Sequence, residues 1–224
     1  MKLIDLSQVI HNGMPVYPGD PNTKLSQIKY YEHDEYNNFK LNICVHSGTH
    51  IDAPMHLTES KQLVSEIPLE SLIGEGCVLD VRYHDVITMK EEYKDLIKEG
   101  CIVLLYTGFD KYYGTDKYYE NHPCMDMDFC KFLVRMNIKM VGMDMPSPDK
   151  YPFEIHKMLL SNNIYIIENM TNLDKLLETD GFEVYAFPLR INADSSIARA
   201  VARVKWHTLC KRTAAFATAL YLAD

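Results

Sequence analysis

Three histidines and an aspartate crowd one short window of this sequence: His46, His50, Asp52 and His56. Histidine makes up 9 of the 224 residues, so a window of this length should hold fewer than one. Gly48 and Pro54 make a helix unfavourable across it. On an extended chain alternate residues face one side, which predicts that His46, His50 and Asp52 project together, with Gly48 between them leaving room for an ion. Two imidazoles and one carboxylate suit Zn2+, Mn2+ or Fe2+, and three protein ligands leave a coordination position for water. Thiolate is absent from the set, which argues against a closed structural zinc site. The 6 cysteines are scattered without a C-x-x-C pair and read as reduced, mostly buried small apolar residues.

An alternation of short strands and helices must position these groups. Residues 16–21, with two prolines and a glycine, predict a tight non-helical loop. Residues 39–45 and 77–81 read as strands. Thr88 and Glu91 have capping-box spacing, which predicts a helix that buries Tyr93, Leu96 and Ile97 and stops at Gly100. Ile102–Tyr106 is an apolar run expected to form a buried strand. Asp126 is placed to cap a helix burying Phe129, Phe132, Leu133 and Met136, closed by Asn137 before a strand over 138–142. A third helix is expected over 156–160, ahead of a strand over 164–167. Thr171 and Asp174 open a fourth short helix, and 182–189 is again extended. Strands alternating with helices predict an α/β fold with partly parallel pairing. The strand-rich first third makes it a mixed sheet. Without repeats or linkers, residues 1–224 read as one domain. Its last residues, 205–224, have apolar side chains at helical spacing, which predicts a C-terminal helical tail packed on the body or on a second subunit.

Composition removes several classes of function. A net charge of −8 leaves no basic face for nucleic acid. Asp5 interrupts the N-terminus, so it does not read as a signal peptide. The longest apolar stretch, residues 214–223, is about half of what a membrane span needs. The expectation is a cytoplasmic protein that acts on neither nucleic acid nor membrane.

The run His46-Ser47-Gly48-Thr49-His50-Ile51-Asp52-Ala53-Pro54-Met55-His56 resembles the H-x-G-T-H-x-D-x-P-x-H signature of the cyclase family, metal-dependent hydrolases that include kynurenine formamidases and isatin hydrolases. Further segments resemble the family in the same order: Ile4 to Ser7 with Pro15 to Asp20, Thr107 to Asp110, Val141 to Asp144, Ser147 to Asp149, His156, and Ile166 to Asn169. The resemblance implies a swivelling β/β/α-type domain. It implies one metal held by His46, His50 and Asp52 and a second by Asp52, His156 and Glu168, with Zn2+ expected and Mn2+ the alternative. His56 would then act as proton donor and acceptor, a role suited to imidazole, or as an additional ligand. The other histidines, His11, His33, His84, His122 and His207, are expected at the surface.

By the same resemblance the substrate is a small-molecule amide, N-formylkynurenine first and an isatin-like cyclic amide or a lactone second. A metal-binding protein without turnover is the remaining reading. Tyr17 stands where the formamidases carry a tryptophan that lines the substrate pocket, and it is the expected substrate contact. The cluster Tyr112, Tyr113, Tyr118 and Tyr119 is a candidate lid or pocket wall, or ordinary packing. Near the end of the match, Ala193 and Asp194 align with the family's frequent G-x-D-G-S-P-x-R run while Ser195 and Ile197 depart from it, which reads as loop divergence without a ligand. A homodimer or higher homo-oligomer is implied.

Overall fold

The structure is a computed structural model and describes residues 2–204. Twelve strands follow one another along the described chain: β1 (Lys2–Asp5), β2 (Lys24–Lys29), β3 (Asn38–Asn42), β4 (His50–Asp52), β5 (Ile73–Asp80), β6 (Val86–Ile87), β7 (Ile102–Tyr106), β8 (Cys124–Met125), β9 (Met140–Met143), β10 (Tyr165–Glu168), β11 (Phe182–Pro188) and β12 (Ser195–Val204). Eight form one mixed sheet in the order β1-β12-β11-β5-β7-β9-β10-β4, and β4 pairs in addition with β12. That last pairing joins the far end of the order back to its beginning, so the sheet closes on itself. The fold is α/β, dominated by the sheet, with few and short helices.

The middle of the sheet is parallel, β5-β7-β9-β10. Parallel strands are covered on both faces, which is why Ile102–Tyr106 is apolar at consecutive positions. Its alternate residues serve two cores. Val103 and Leu105 pack with the helix Met127–Arg135 and the helix Glu154–Ser161, through Phe129, Leu133 and Leu159. Ile102 and Leu104 face the opposite way, toward Ile51, Ile167 and Val184.

Local signals account for several elements. The Asp126 side chain accepts the Phe129 N–H at 2.7 Å and caps the helix Met127–Arg135. Asn137, at a φ of 47°, ends that segment as expected.

Other expectations need correction. The helix predicted from Thr88 to Gly100 is reduced to the single turn Tyr93–Leu96. No side chain caps that turn, and Leu96, expected on the buried face, is exposed. The fourth helix is a 3₁₀ turn, Leu173–Leu176. The strand expected over 39–45 ends at Asn42 and belongs to a separate two-stranded ribbon with β2. Residues 195–197, read as a divergent loop, open the longest strand of the sheet. The tail expected to be helical, 205–224, lies outside the described residues. Among those described, no helix is long and apolar enough to cross a membrane.

Candidate metal centre

Strand β4 is the floor of the site. His50 and Asp52 lie two residues apart on it, so they share a face, while Ile51 points into the core. β4 is flanked on one edge by β10 and on the other by β12. Glu168 stands opposite His50 on the first edge. Ser195 stands opposite Asp52 on the second. Cross-strand neighbours of this kind have adjacent side chains, and His50 Nε2 lies 3.4 Å from Glu168 Oε2.

His46 arrives differently from the expected alternation. The chain before β4 is a turn, closed by the Ser47 N–H donating to Cys44 O at 3.1 Å. Gly48 has a φ of +64°, and a Cβ there would meet the Met14 Cε at 2.8 Å. The glycine therefore serves the backbone and its packing rather than leaving space for an ion. Its carbonyl has a further use, since it accepts from His50 Nδ1 at 2.8 Å. Asn169 Nδ2 donates to the same carbonyl at 3.0 Å, and Tyr118 Oη donates to Asn169 Oδ1 at 2.7 Å.

His156 lies on the helix Glu154–Ser161. Asp149 Oδ2 accepts the Ile155 N–H at 2.6 Å, and its Oδ1 lies 2.5 Å from His156 Nδ1. One carboxylate thus ties down the start of the helix and orients the imidazole. The other nitrogen, Nε2, is 3.2 Å from Glu168 Oε1. Asp194, just before β12, plays a similar part twice: its Oδ2 lies 3.0 Å from His46 Nε2 and 3.0 Å from His56 Nδ1.

These contacts decide which nitrogens carry protons. A carbonyl or an ionised carboxylate can only accept. His46 Nε2, His50 Nδ1 and His156 Nδ1 therefore donate outward, to Asp194, Gly48 and Asp149. The inward nitrogens, His46 Nδ1, His50 Nε2 and His156 Nε2, all aim at carboxylate oxygens, so each calls for either a second proton on the ring or a cation in its place. His46 Nδ1 is 3.1 Å from Asp52 Oδ1, and His50 Nε2 is 3.6 Å from the same oxygen. His50 Nε2 and both Asp52 oxygens are buried without a hydrogen-bond partner of proper alignment. Lone pairs facing lone pairs repel, and buried polar atoms of this kind call for a cation between them.

The electrostatics agree. Burial alone would depress the imidazoles, but Asp52 and Asp194 push His46 up to about 9, and Asp149 and Glu168 push His156 up to about 10. His50 is raised as well, against its burial, by Asp52 and Glu168. Burial would raise Asp52 and Glu168, yet the surrounding histidines hold both below their ordinary values. Asp194 is also lowered, by His46 and His56, against partial burial. Without a metal the cluster takes up protons to balance its carboxylates. A divalent cation supplies that charge directly, so the residues fit one.

All six expected metal and proton-transfer residues come together here. Donor atoms of His50, Asp52 and Glu168 lie within 4.8 Å of one another, as do those of His46, Asp52 and His56. Asp52 is common to both groups, although the division differs from the sets that the resemblance implied. Next to the cluster opens a cavity of 290 Å³, lined in part by His46, His56, His156 and Glu168. Tyr17, Tyr113, Tyr119 and Phe153 line it as well, and the Tyr17 and Tyr119 rings meet edge to face at 5.7 Å.

Of the remaining histidines, His11, His33 and His84 are exposed as expected, and His207 lies outside the described residues. His122 is a correction: it is buried, with Nδ1 donating to Pro123 O at 3.0 Å. Sequence reasoning missed Asp149, Asn169 and Asp194 as parts of the site. Asp149 carried a signal, an acid shortly before a helix start.

Residues 4–150 match the family model Cyclase, described as "Putative cyclase". An uncharacterized protein of Methanocaldococcus jannaschii is 34% identical over 203 residues, covering 90% of this chain and 99% of its own. A kynurenine formamidase of Bacillus anthracis is 31% identical over 209 residues, covering 90% and 97%. A solved structure described as a potential metal-dependent hydrolase with cyclase activity superposes with a TM-score of 0.73 at 27% identity, covering 92% of this chain and 99% of that one. With most of its length matched by such relatives and its signature histidines gathered at one cluster, the chain belongs to the cyclase family of hydrolases.

Proposed function

We propose that this chain hydrolyses the C–N bond of a small amide, with N-formylkynurenine as the leading substrate and kynurenine plus formate as products. The observation that carries this reading is the convergence of three imidazole nitrogens on Asp52 and Glu168 beside an aromatic-lined cavity. The likeness to a kynurenine formamidase supports the substrate class.

His46, His50, Asp52, His156 and Glu168 would hold one or two divalent ions, Zn2+ in the first instance and Mn2+ as the alternative. When bound, such an ion lowers the pKa of water toward ~7 and polarises a substrate carbonyl. The rest falls to the chain. Tyr17, Tyr119 and Phe153 offer rings against which an aryl group can pack edge-to-face or offset. His56 has its Nδ1 engaged by Asp194, which leaves Nε2 to take a proton from the attacking water and return it to the leaving nitrogen. Asp149 and the Gly48 carbonyl hold His156 and His50 in the tautomers that face inward.

The test is a panel of N-formylkynurenine, isatin and simple lactones, assayed before and after removal of metal by a chelator. Metal-dependent release of formate is the expected result. Opening of isatin with no formamide cleavage would reassign the substrate to a cyclic amide. Stable metal binding without turnover on any of them would make this a metal-binding protein.

A homodimer is part of the same reading. The ribbon of β2 and β3 stands outside the main sheet with every β3 residue exposed, among them Phe39 and Leu41. A lone two-stranded ribbon is marginal in water, so its exposed apolar residues offer a face for a second copy of this chain, which supports the expected assembly.

A further inference from the structure

We propose that Asp194 is a positioning residue that sets the tautomers of His46 and His56 together, so that metal affinity and proton transfer depend on one carboxylate. This deepens the hydrolytic reading above and rests on it for the second of its two effects. One oxygen, Oδ2, lies 3.0 Å from His46 Nε2 and 3.0 Å from His56 Nδ1. The two rings are neighbours, with centroids 4.2 Å apart and planes tilted by 39°. Because a carboxylate only accepts, each imidazole must present its N–H to it. His46 then turns Nδ1 toward Asp52 Oδ1, 3.1 Å away, as the nitrogen a metal would take. His56 is left with a bare Nε2, the form a general base requires. Histidine free in water favours the opposite tautomer, with the proton on Nε2, so His56 needs a partner that overrides its own preference.

The backbone on both sides of Asp194 is tied to the histidine window. The Ala53 N–H donates to Asp194 O at 2.9 Å, and the Val64 N–H donates to Ala193 O at 2.9 Å. Ser195 Oγ donates to Ile51 O at 2.9 Å. The backbone that carries the carboxylate is therefore placed by strand register against β4.

The experiment compares wild type with Asp194→Ala and Asp194→Asn, the latter keeping the shape and one acceptor oxygen. Long-range 1H–15N spectra of the neutral His56 ring in metal-free protein should show Nδ1–H in the wild type and Nε2–H in Asp194→Ala. Zn2+ affinity, measured against a competing chelator, should fall about 10–100-fold in Asp194→Ala. Its kcat should fall about 100-fold or more with KM little changed, and Asp194→Asn should lie between. Should Asp194→Ala fail to fold, the same three readings on Asp194→Asn decide the matter. An Nε2–H tautomer in the wild type, or unchanged tautomer and Zn2+ affinity in the variants, would overturn the proposal. A wild type that shows the Nδ1–H tautomer yet hydrolyses no amide would overturn the hydrolytic reading alone.

Discussion

Ser195 stands directly opposite Asp52 in the antiparallel pair of β12 and β4. From that register, a stretch of chain more than 140 positions away in sequence completes the site, since the residue before Ser195 is Asp194. β4 is thus held between two strands that each bring a carboxylate, Glu168 on β10 and Asp194 ahead of β12.

His56 and the ligand residues should separate by experiment. His56→Ala should retain bound metal while kcat falls by about 10²–10⁴, measured by formate release. Full activity in that variant would remove His56 from the reaction.

Metal should also stabilise the fold. An ion that binds only the folded chain, at a thousand times its Kd, adds about 4 kcal/mol. Thermal unfolding with and without chelator should therefore differ by several degrees. The difference should vanish in Asp52→Ala.

Gly48→Ala tests the turn that carries His46. A non-glycine residue at a φ of +64° costs about 1–2 kcal/mol. The Met14 Cε that an added Cβ would meet is the flexible end of its side chain and can yield. The predicted loss of stability is of that size, read by urea unfolding. A weakened grip on metal should accompany it, because the Gly48 carbonyl orients His50.

Asp144 gives a pH dependence away from the metal cluster. Burial pushes its carboxyl up to about 6, outweighing hydrogen bonds donated by the Thr107 hydroxyl and by the Thr107 and Gly108 N–H groups. The folded chain keeps a proton there that the unfolded chain, at 3.8, has already released. Stability from this group is present in full at low pH and is lost as pH rises through about 6. Asp144→Asn should flatten that slope. It should also cost about 1–3 kcal/mol, because an amide nitrogen would face a backbone donor. Urea unfolding across the window reads both effects.

The β2–β3 ribbon predicts an assembly. Phe39→Asp with Leu41→Asp, on the exposed face, should convert a dimer to a monomer in light scattering. An unaltered mass would place the interface elsewhere.

Much of this architecture is legible in the sequence where the signal is local. The apolar run Ile102–Tyr106 and the Asp126 cap depend on neighbours a few residues away, and both appear as expected. His50 and Asp52 share a face because a strand alternates. His46 joins them through a turn that alternation does not describe. Asp194 aligns with the family's run, but its role is not legible, since only the pairing of β12 with β4 brings it near His46, 148 positions away. That strand was itself hidden. Its buried positions Ala200 and Ala202 are small and poor strand formers, and Arg199 is exposed between β-pairing partners. The helix expected from Thr88 shrinks to the turn Tyr93–Leu96, which no side chain caps and which leaves Leu96 exposed rather than buried.

The central claim is that His46, His50, Asp52, His156 and Glu168 together hold a catalytic divalent ion. Metal content per chain, determined by elemental analysis after dialysis against trace Zn2+, tests it most directly. The account predicts at least one ion per wild-type chain and none in folded His50→Ala or Asp52→Ala. A wild type that retains no ion, or variants that retain it undiminished, would contradict it.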